Sequence, residues 1–270
     1  MTPIAVTIAG SDSGGGAGLQ GDLKTFSALG VYGASIVTAL TAQSTLGVTA
    51  IHDVPGEFVA AQIDAVFADL RVRAVKIGML SQASVIAAVA TGLERWRQEK
   101  VVLDPVMAAS TGEPLMAAEA IDMFKRVLVP RALVLTPNLP EAAALLGVKM
   151  AANEDEMRAQ AQRLLALGAK AIVIKGGHAQ GQSSVDLLVD RNGVLALPLA
   201  RLASRNTHGT GCAFSAAIAA GLAKGLELEQ AVRAAKDYVH AAIAAADTLE
   251  IGSGAGPVHH FHATWRDPFS

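Results

Sequence analysis

The pattern of this chain predicts an α/β fold, with a mostly parallel central sheet and helices on both faces. Two observations carry that expectation. Short β-rich runs alternate with helix-periodic segments along the whole length, the order that βαβ units produce. Apolar residues make up 51% of the chain but aromatics only 4%. The core must therefore be built from Ala, Val, Ile and Leu, as buried parallel sheets usually are.

The elements follow in order. Residues 4–9 read as a strand, followed by a glycine-rich loop over 10–18 and a helix to about Leu29. Residues 35–42 read as a second strand. Residues 74–77, 101–103, 133–135 and 171–174 read as four more, each ending at polar punctuation. Val85, Val89, Leu93 and Trp96 fall on one helical face, and so do Met157, Ala161, Leu164 and Leu165. Residues 185–189 and 194–197, joined by Asp190-Arg191-Asn192-Gly193, read as a hairpin. Two helices are expected over about 209–222 and 228–247.

With 270 residues, no Pro/Ser-rich linker and no internal repeat, one domain spanning 1–270 is expected. Net charge is −2 with no long basic run, which argues against nucleic-acid binding through phosphate neutralisation. One cysteine cannot form an intrachain disulfide, so a reducing compartment is expected. No basic region precedes the first apolar run, which argues against a signal peptide. Polar residues interrupt the uncharged stretch between Lys24 and Asp53, so it is a poor membrane span. A soluble, cytoplasmic protein is the expectation.

The most informative segment is Asn206-Thr207-His208-Gly209-Thr210-Gly211-Cys212, which leads into an apolar helix. Helix starts carry unpaired N–H groups and a partial positive charge, so they bind phosphate. A thiol there is expected to ionise more easily. An anion cradle over Gly209, Thr210 and Gly211, beside a candidate base at Cys212, points to phosphoryl transfer to a hydroxyl. By itself, a lone cysteine is more often a buried structural thiol.

Other motifs weigh differently. Gly16-Ala17-Gly18-Leu19-Gln20-Gly21 matches G-x-G-x-x-G, but the acid that a dinucleotide site needs about 20 residues later is missing. No G-x-x-x-x-G-K-[ST] occurs, which excludes a P-loop. His208 invites a Cys-His protease reading, yet the local signatures of such enzymes are absent. Asp104 and Glu141 follow different strands and could hold Mg²⁺ through a carboxylate and waters beside nucleotide phosphates. Glu141 reads equally as an acid in a first helical turn. Lys175 precedes two glycines and could reach a phosphate. His259, His260 and His262 fit no structural zinc spacing and are expected to pack.

Several segments in fixed order carry a resemblance. They are Ile8-Ala9-Gly10-Ser11-Asp12, Gln20-Gly21-Asp22-Leu23-Lys24-Thr25, Thr38-Ala39-Leu40-Thr41-Ala42-Gln43, Lys76-Ile77-Gly78-Met79-Leu80 and Leu103-Asp104-Pro105-Val106-Met107. Thr136-Pro137-Asn138-Leu139-Pro140-Glu141-Ala142, Lys175-Gly176-Gly177-His178, the segment 206–212 and Gly256-Pro257-Val258-His259-His260-Phe261-His262 complete the set. Together they resemble the bacterial hydroxymethylpyrimidine/phosphomethylpyrimidine kinases of thiamine biosynthesis, in the ribokinase-like superfamily. Many members of that family carry a proline where this chain has Asp12-Ser13-Gly14-Gly15. Ribokinase-like sugar kinases carry an aspartate where Cys212 stands, so the cysteine favours the pyrimidine and pyridoxal branch.

The resemblance implies a ribokinase-like fold, ATP and Mg²⁺ as cofactors, and a homodimer. It implies phosphorylation of 4-amino-5-hydroxymethyl-2-methylpyrimidine, then of its monophosphate. By the same resemblance Gln43 binds the polar edge of the pyrimidine, and Gly10, Ala17, Asp22, Met79 and Val106 line that pocket. Gly209, Thr210 and Gly211 donate to the phosphate in flight, Lys175 adds charge, and Cys212 takes the hydroxyl proton. Asp104 and Glu141 arrange Mg²⁺, while Asn138 and Thr207 join Lys175, Gly209 and Gly211 at the nucleotide. A pyridoxine/pyridoxal kinase on the same fold and a non-catalytic pyrimidine-binding protein remain as alternatives.

Overall fold

A computed structural model describes residues 1–108, 112, 115–178 and 182–265. Its main sheet has eight strands: β1 (Ile4–Ala9), β2 (Tyr32–Val37), β5 (Ala74–Ile77), β6 (Val101–Leu103), β7 (Val134–Leu135), β8 (Ala171–Ile174), β9 (Ser183–Asp190) and β10 (Gly193–Ala200). The spatial order is β10-β9-β8-β7-β6-β5-β1-β2. Strands β2, β1, β5, β6, β7 and β8 pair in parallel, and the β9–β10 hairpin adds antiparallel at one edge. The mostly parallel sheet expected from the sequence is what forms.

Every residue of β5, β6 and β8 is buried, because helices cover both faces. On one face lie α1 (Gly18–Ala28), α7 (Thr210–Lys224) and α8 (Leu228–Ala244). Their core partners on the strands are small: Ala5, Ala74, Val102, Val134 and Ala171. Small strand residues let the alanine-rich α7 approach the sheet closely. On the other face lie α2 (Gly56–Asp69), α3 (Ala83–Arg95), α4 (Ala118–Met123), α5 (Leu139–Leu146) and α6 (Glu154–Leu165). There the sheet presents larger residues, including Val6, Ile8, Val75, Ile77 and Leu103.

The periodic faces behave as read. Val85, Val89 and Leu93 are buried. Trp96 ends α3, stacks on Phe67 and donates its indole N–H to Asp64 at 2.9 Å. Met157, Ala161 and Leu164 are buried, and Leu165 is half-buried.

Three corrections come from tertiary structure. Residues 35–42 are not one strand. The chain leaves the main sheet at Thr38, whose N–H bonds Ala9 O and whose hydroxyl donates to Met79 O. It then forms a separate antiparallel ribbon, β3 (Ala39–Ser44) with β4 (Gly47–Asp53). Gln43 therefore sits on that ribbon, beyond a register shift at Ala42/Gln43, and not at the end of a main-sheet strand. Residues 47–69, which the sequence pattern leaves without an element, form β4 and α2; Val59, Ile63 and Phe67 of α2 recur every four residues and are buried. The last helix stops at Ala244 and continues only as a 3₁₀ turn, Ala246–Thr248.

Candidate active site

The carboxyl ends of β1, β5, β6, β7 and β8 open on one edge of the sheet, where ligands sit in folds of this kind. Helix α7 starts at the same edge. The residue just before it, Gly209, has φ +80°, and no side chain caps the helix. A Cβ there would collide with the Gly16 carbonyl oxygen, so both conformation and space require glycine. The first bond of the helical ladder is Ala213 N–H to Gly209 O. The N–H groups of Gly211 and Cys212 lie ahead of that ladder and are available to an anion. Thr210 Oγ1 donates to Thr207 O at 2.6 Å and tightens the turn.

Lys175 follows β8 and reaches beneath this turn. Its Nζ lies 2.9 Å from Asp104 Oδ1 and 3.9 Å from Glu141 Oε2. A Cβ on Gly211 would stand 3.3 Å from that nitrogen, so glycine leaves the approach open. Burial lowers the Lys175 pKa, but the Asp104 and Glu141 carboxylates outweigh it and hold the ammonium charged.

Asp104, 1% exposed, is fully engaged. Oδ1 accepts from Lys175 and from Thr136 Oγ1 at 3.0 Å, and Oδ2 accepts from Ser215 Oγ at 3.1 Å. Glu141 and Asn138 form a reciprocal capping box on α5. Asn138 N–H donates to Glu141 Oε2 at 2.7 Å, and Glu141 N–H donates to Asn138 Oδ1 at 2.8 Å. Burial, with the neighbouring Asp104 charge, pushes the Glu141 carboxyl up to about 7 against the pull of Lys175.

These two carboxylates differ as places for Mg²⁺. Both Asp104 oxygens already accept hydrogen bonds, two on Oδ1 and one on Oδ2. Glu141 Oε1 takes no hydrogen bond from a described residue. Among the described residues, no three His, Cys, Asp or Glu gather as a protein cage. The donor set fits Mg²⁺ held largely by phosphates and water, with one carboxylate.

Cys212 stands on the first turn of α7, half-buried. The expected easy ionisation is corrected here. Burial pushes the thiol up to about 11, and the nearby Asp22 and Asp104 add to it, while Lys76 and Gly18 pull only part of the way back. Desolvation outweighs the helix-start field.

Lys76 and Asp22 lie beneath that thiol. Both are completely buried and 2.7 Å apart, and Thr7 Oγ1 also donates to Asp22. Asp22 thus underlies the site, closed off from solvent. Of the residues read as a pyrimidine pocket, Gly10 and Met79 touch: a Cβ on Gly10 would be 2.9 Å from Met79 Sδ. Ala17 stands at the mouth of α1, where its N–H donates to Asp12 at 2.8 Å. Gln43 joins the glycine loop through its backbone, which exchanges hydrogen bonds with Ser13 Oγ, and its Oε1 accepts from Thr41 Oγ1. Val106 N–H bonds Asp104 O.

Sequence reasoning gave no role to Lys76, Ser215, Thr136 or Gly18. Two of them left a signal. Lys76 interrupts the apolar run Ala74-Val75-Lys76-Ile77, and Ser215 is a lone hydroxyl in an alanine-rich helix. His259 and His260 pack as expected: His259 lies edge-on to Trp265, and His260 is buried against α1.

The sheet order, the ligand edge and the uncapped helix start define a small-molecule kinase of the ribokinase-like α/β class. The family model for phosphomethylpyrimidine kinase matches residues 12–259, and the chain belongs to that family. It is 59% identical over 267 residues to the hydroxymethylpyrimidine/phosphomethylpyrimidine kinase of Rhizobium meliloti, covering 99% of this chain and 100% of that protein. The crystal structure of phosphomethylpyrimidine kinase from Clostridium difficile superposes with TM-score 0.79 at 42% identity, covering 89% of this chain and 99% of that one. An ADP complex of Bacillus subtilis pyridoxal kinase superposes with TM-score 0.88 at 35% identity, covering 96% and 98%. No described helix is long and apolar enough to cross a membrane.

Proposed function

We propose that this kinase transfers the γ-phosphoryl group of ATP to the hydroxyl of 4-amino-5-hydroxymethyl-2-methylpyrimidine, and then to the phosphate of the monophosphate. ADP leaves in each step. One observation carries the reading: Gly211 at the start of α7 lies over the charged Lys175 nitrogen, next to the Cys212 thiol. Phosphoryl transfer needs positioning and charge stabilisation, and this arrangement offers both.

In this reading the Gly209–Gly211 turn and the Lys175 ammonium hold the moving phosphoryl group. Asp104 holds Lys175 in place. Gly10, Ala17, Gln43, Met79 and Val106 receive the pyrimidine, with Asp22 supporting the floor. Thr207 and Asn138 flank the nucleotide. Glu141 is the residue that would hold Mg²⁺, through an oxygen or a water. When bound, Mg²⁺ supplies charge neutralisation on the phosphates.

Cys212 takes the hydroxyl proton in the first step. A thiol pKa of about 11 leaves only a small thiolate fraction at neutral pH. The first phosphorylation is therefore expected to speed up with rising pH, while the second, whose acceptor is already anionic, stays flatter.

The test is incubation with Mg·ATP and hydroxymethylpyrimidine, with products followed by mass spectrometry. Monophosphate followed by diphosphate supports the reading; ligand binding without turnover overturns it. The likeness to pyridoxal kinase favours a second substrate, pyridoxal, and competition between the two measures its weight. A homodimer belongs to the same proposal and is checked by mass in solution.

A further inference from the structure

The loop over residues 10–18 holds five glycines, so it has little intrinsic shape. One side chain gives it shape. Asp12 is 2% exposed, and its carboxylate is saturated. Oδ1 accepts from Gly14 N–H at 2.9 Å; Oδ2 accepts from Gly16 N–H at 3.0 Å and Ala17 N–H at 2.8 Å. The Asp12 N–H is itself fixed on Gln20 Oε1 at 2.8 Å.

The remaining partner comes from far along the chain. His208 Nε2 lies 2.9 Å from Asp12 Oδ2. A carboxylate only accepts, so Nε2 carries the proton. His208 sits between Thr207 and Gly209, inside the phosphate turn, and is 8% exposed. Its backbone is held on the C-terminal segment: its N–H bonds Gly256 O and its carbonyl accepts from Val258 N–H. The imidazole lies against Gly16, where a Cβ would come 2.5 Å from its Cδ2, and the Gly16 carbonyl fills the space beside Gly209. The two loops are thus pressed together, with one buried hydrogen bond at the seam.

We infer that Asp12 and His208 are a pair of positioning residues that couple the pyrimidine loop to the phosphate turn, so that acceptor hydroxyl and γ-phosphate are presented in register. This rests on the kinase reading above. The pair is buried in the seam between the loops. It fixes Ala17 and Gly18 on one side and Gly209 to Cys212 on the other. Misplacement by about 1 Å is enough to cost such a reaction about a hundredfold. Burial pushes the Asp12 carboxyl up, but the bonds from His208, Ala17 and Gly14 outweigh it and hold it below the ordinary value, so it stays ionised.

The experiment compares His208→Leu, His208→Gln, Asp12→Asn and the Asp12→Asn/His208→Leu double variant. Kinetics are taken with pyrimidine and ATP each varied, alongside melting temperature. His208→Leu, made in the phosphate turn, is expected to raise KM for the pyrimidine several-fold and to lower kcat at least tenfold. His208→Gln, whose amide can donate to Asp12, is expected to recover most of both. The double variant is expected to be no worse than the worse single one, as coupled residues behave.

A His208→Leu protein that loses only thermal stability overturns the inference. So does a double variant whose losses multiply. If Asp12→Asn fails to fold, the two His208 variants decide, and equal losses in both overturn it. A wild-type protein without product refutes the kinase reading instead. Amide exchange then tests the coupling: His208→Leu must deprotect Gly14, Gly16 and Ala17, and unchanged protection overturns it.

Discussion

Two helices begin at the same edge of the sheet, and they begin in opposite ways. Helix α5 starts with a complete capping box, in which Asn138 and Glu141 satisfy one another's backbone groups. Helix α7 starts at a left-handed glycine with no side-chain cap. The α5 start is closed by its own residues, as N-caps usually close one. The α7 start is braced from outside, by the Gly16 carbonyl, the Asp12–His208 bond and the strap that bonds His208 to Gly256 and Val258. A capping box spends two of a helix start's N–H groups on its own side chains. One that tertiary contacts hold in place can leave its N–H groups to a phosphate.

The comparison can be broken at several points. Cys212→Ala removes the proposed base at the open start. It is expected to slow the first phosphorylation about 10²–10⁴-fold and the second far less. Single-turnover rates of each step check this, and equal losses in a folded protein would remove the base role. Lys175→Ala removes the charge beneath Gly211 and is expected to slow both steps about 10²–10³-fold. A variant that keeps both rates would place the phosphate elsewhere.

Acid should weaken the braced start. Burial, with repulsion from Lys24, His259 and His208, lowers the His260 pKa to about 4 from 6.5. Its Nε2 is buried with no hydrogen-bond partner. A histidine with a depressed folded pKa binds protons preferentially when unfolded. Its contribution is therefore full above about pH 6.5 and fades as pH falls toward 4. The loss should reach up to about 3 kcal/mol. Urea melts at pH 7.5 and 4.5 measure it, and His260→Gln should flatten the difference.

The smallest effect belongs to the closed start. Asn138→Ala is expected to cost about 1 kcal/mol of stability, the ordinary value of an N-cap. If it instead slows transfer severely without loss of stability, Asn138 serves the nucleotide more than the helix. Denaturant midpoints beside kcat settle which.

Much of this molecule was legible beforehand. The strands that proved central, such as Ala74–Ile77 and Ala171–Ile174, are short apolar runs closed by glycine or charge, and both signals are local. The β9–β10 hairpin announced itself through the polar break Asp190-Arg191-Asn192-Gly193. The split at Thr38 did not, because residues 35–42 keep strand character throughout. Only bonds to Ala9 and Met79 turn the chain out of the sheet. In the site, Lys175, Gly211 and Cys212 were visible from residue type and spacing. That Asp104 is consumed by three donors was not, because Thr136, Lys175 and Ser215 come from three separate segments.

The sequence by itself determined the alternation of elements and a core built from Ala, Val, Ile and Leu. Periodicity, side-chain volume and backbone freedom are properties of short stretches of chain. Tertiary structure alone decided which charges meet and how strongly. The Cys212 thiol shows the difference: its place at a helix start argues for ready ionisation, yet burial raises its pKa to about 11. Desolvation depends on everything packed around a group, and no stretch of sequence carries that information.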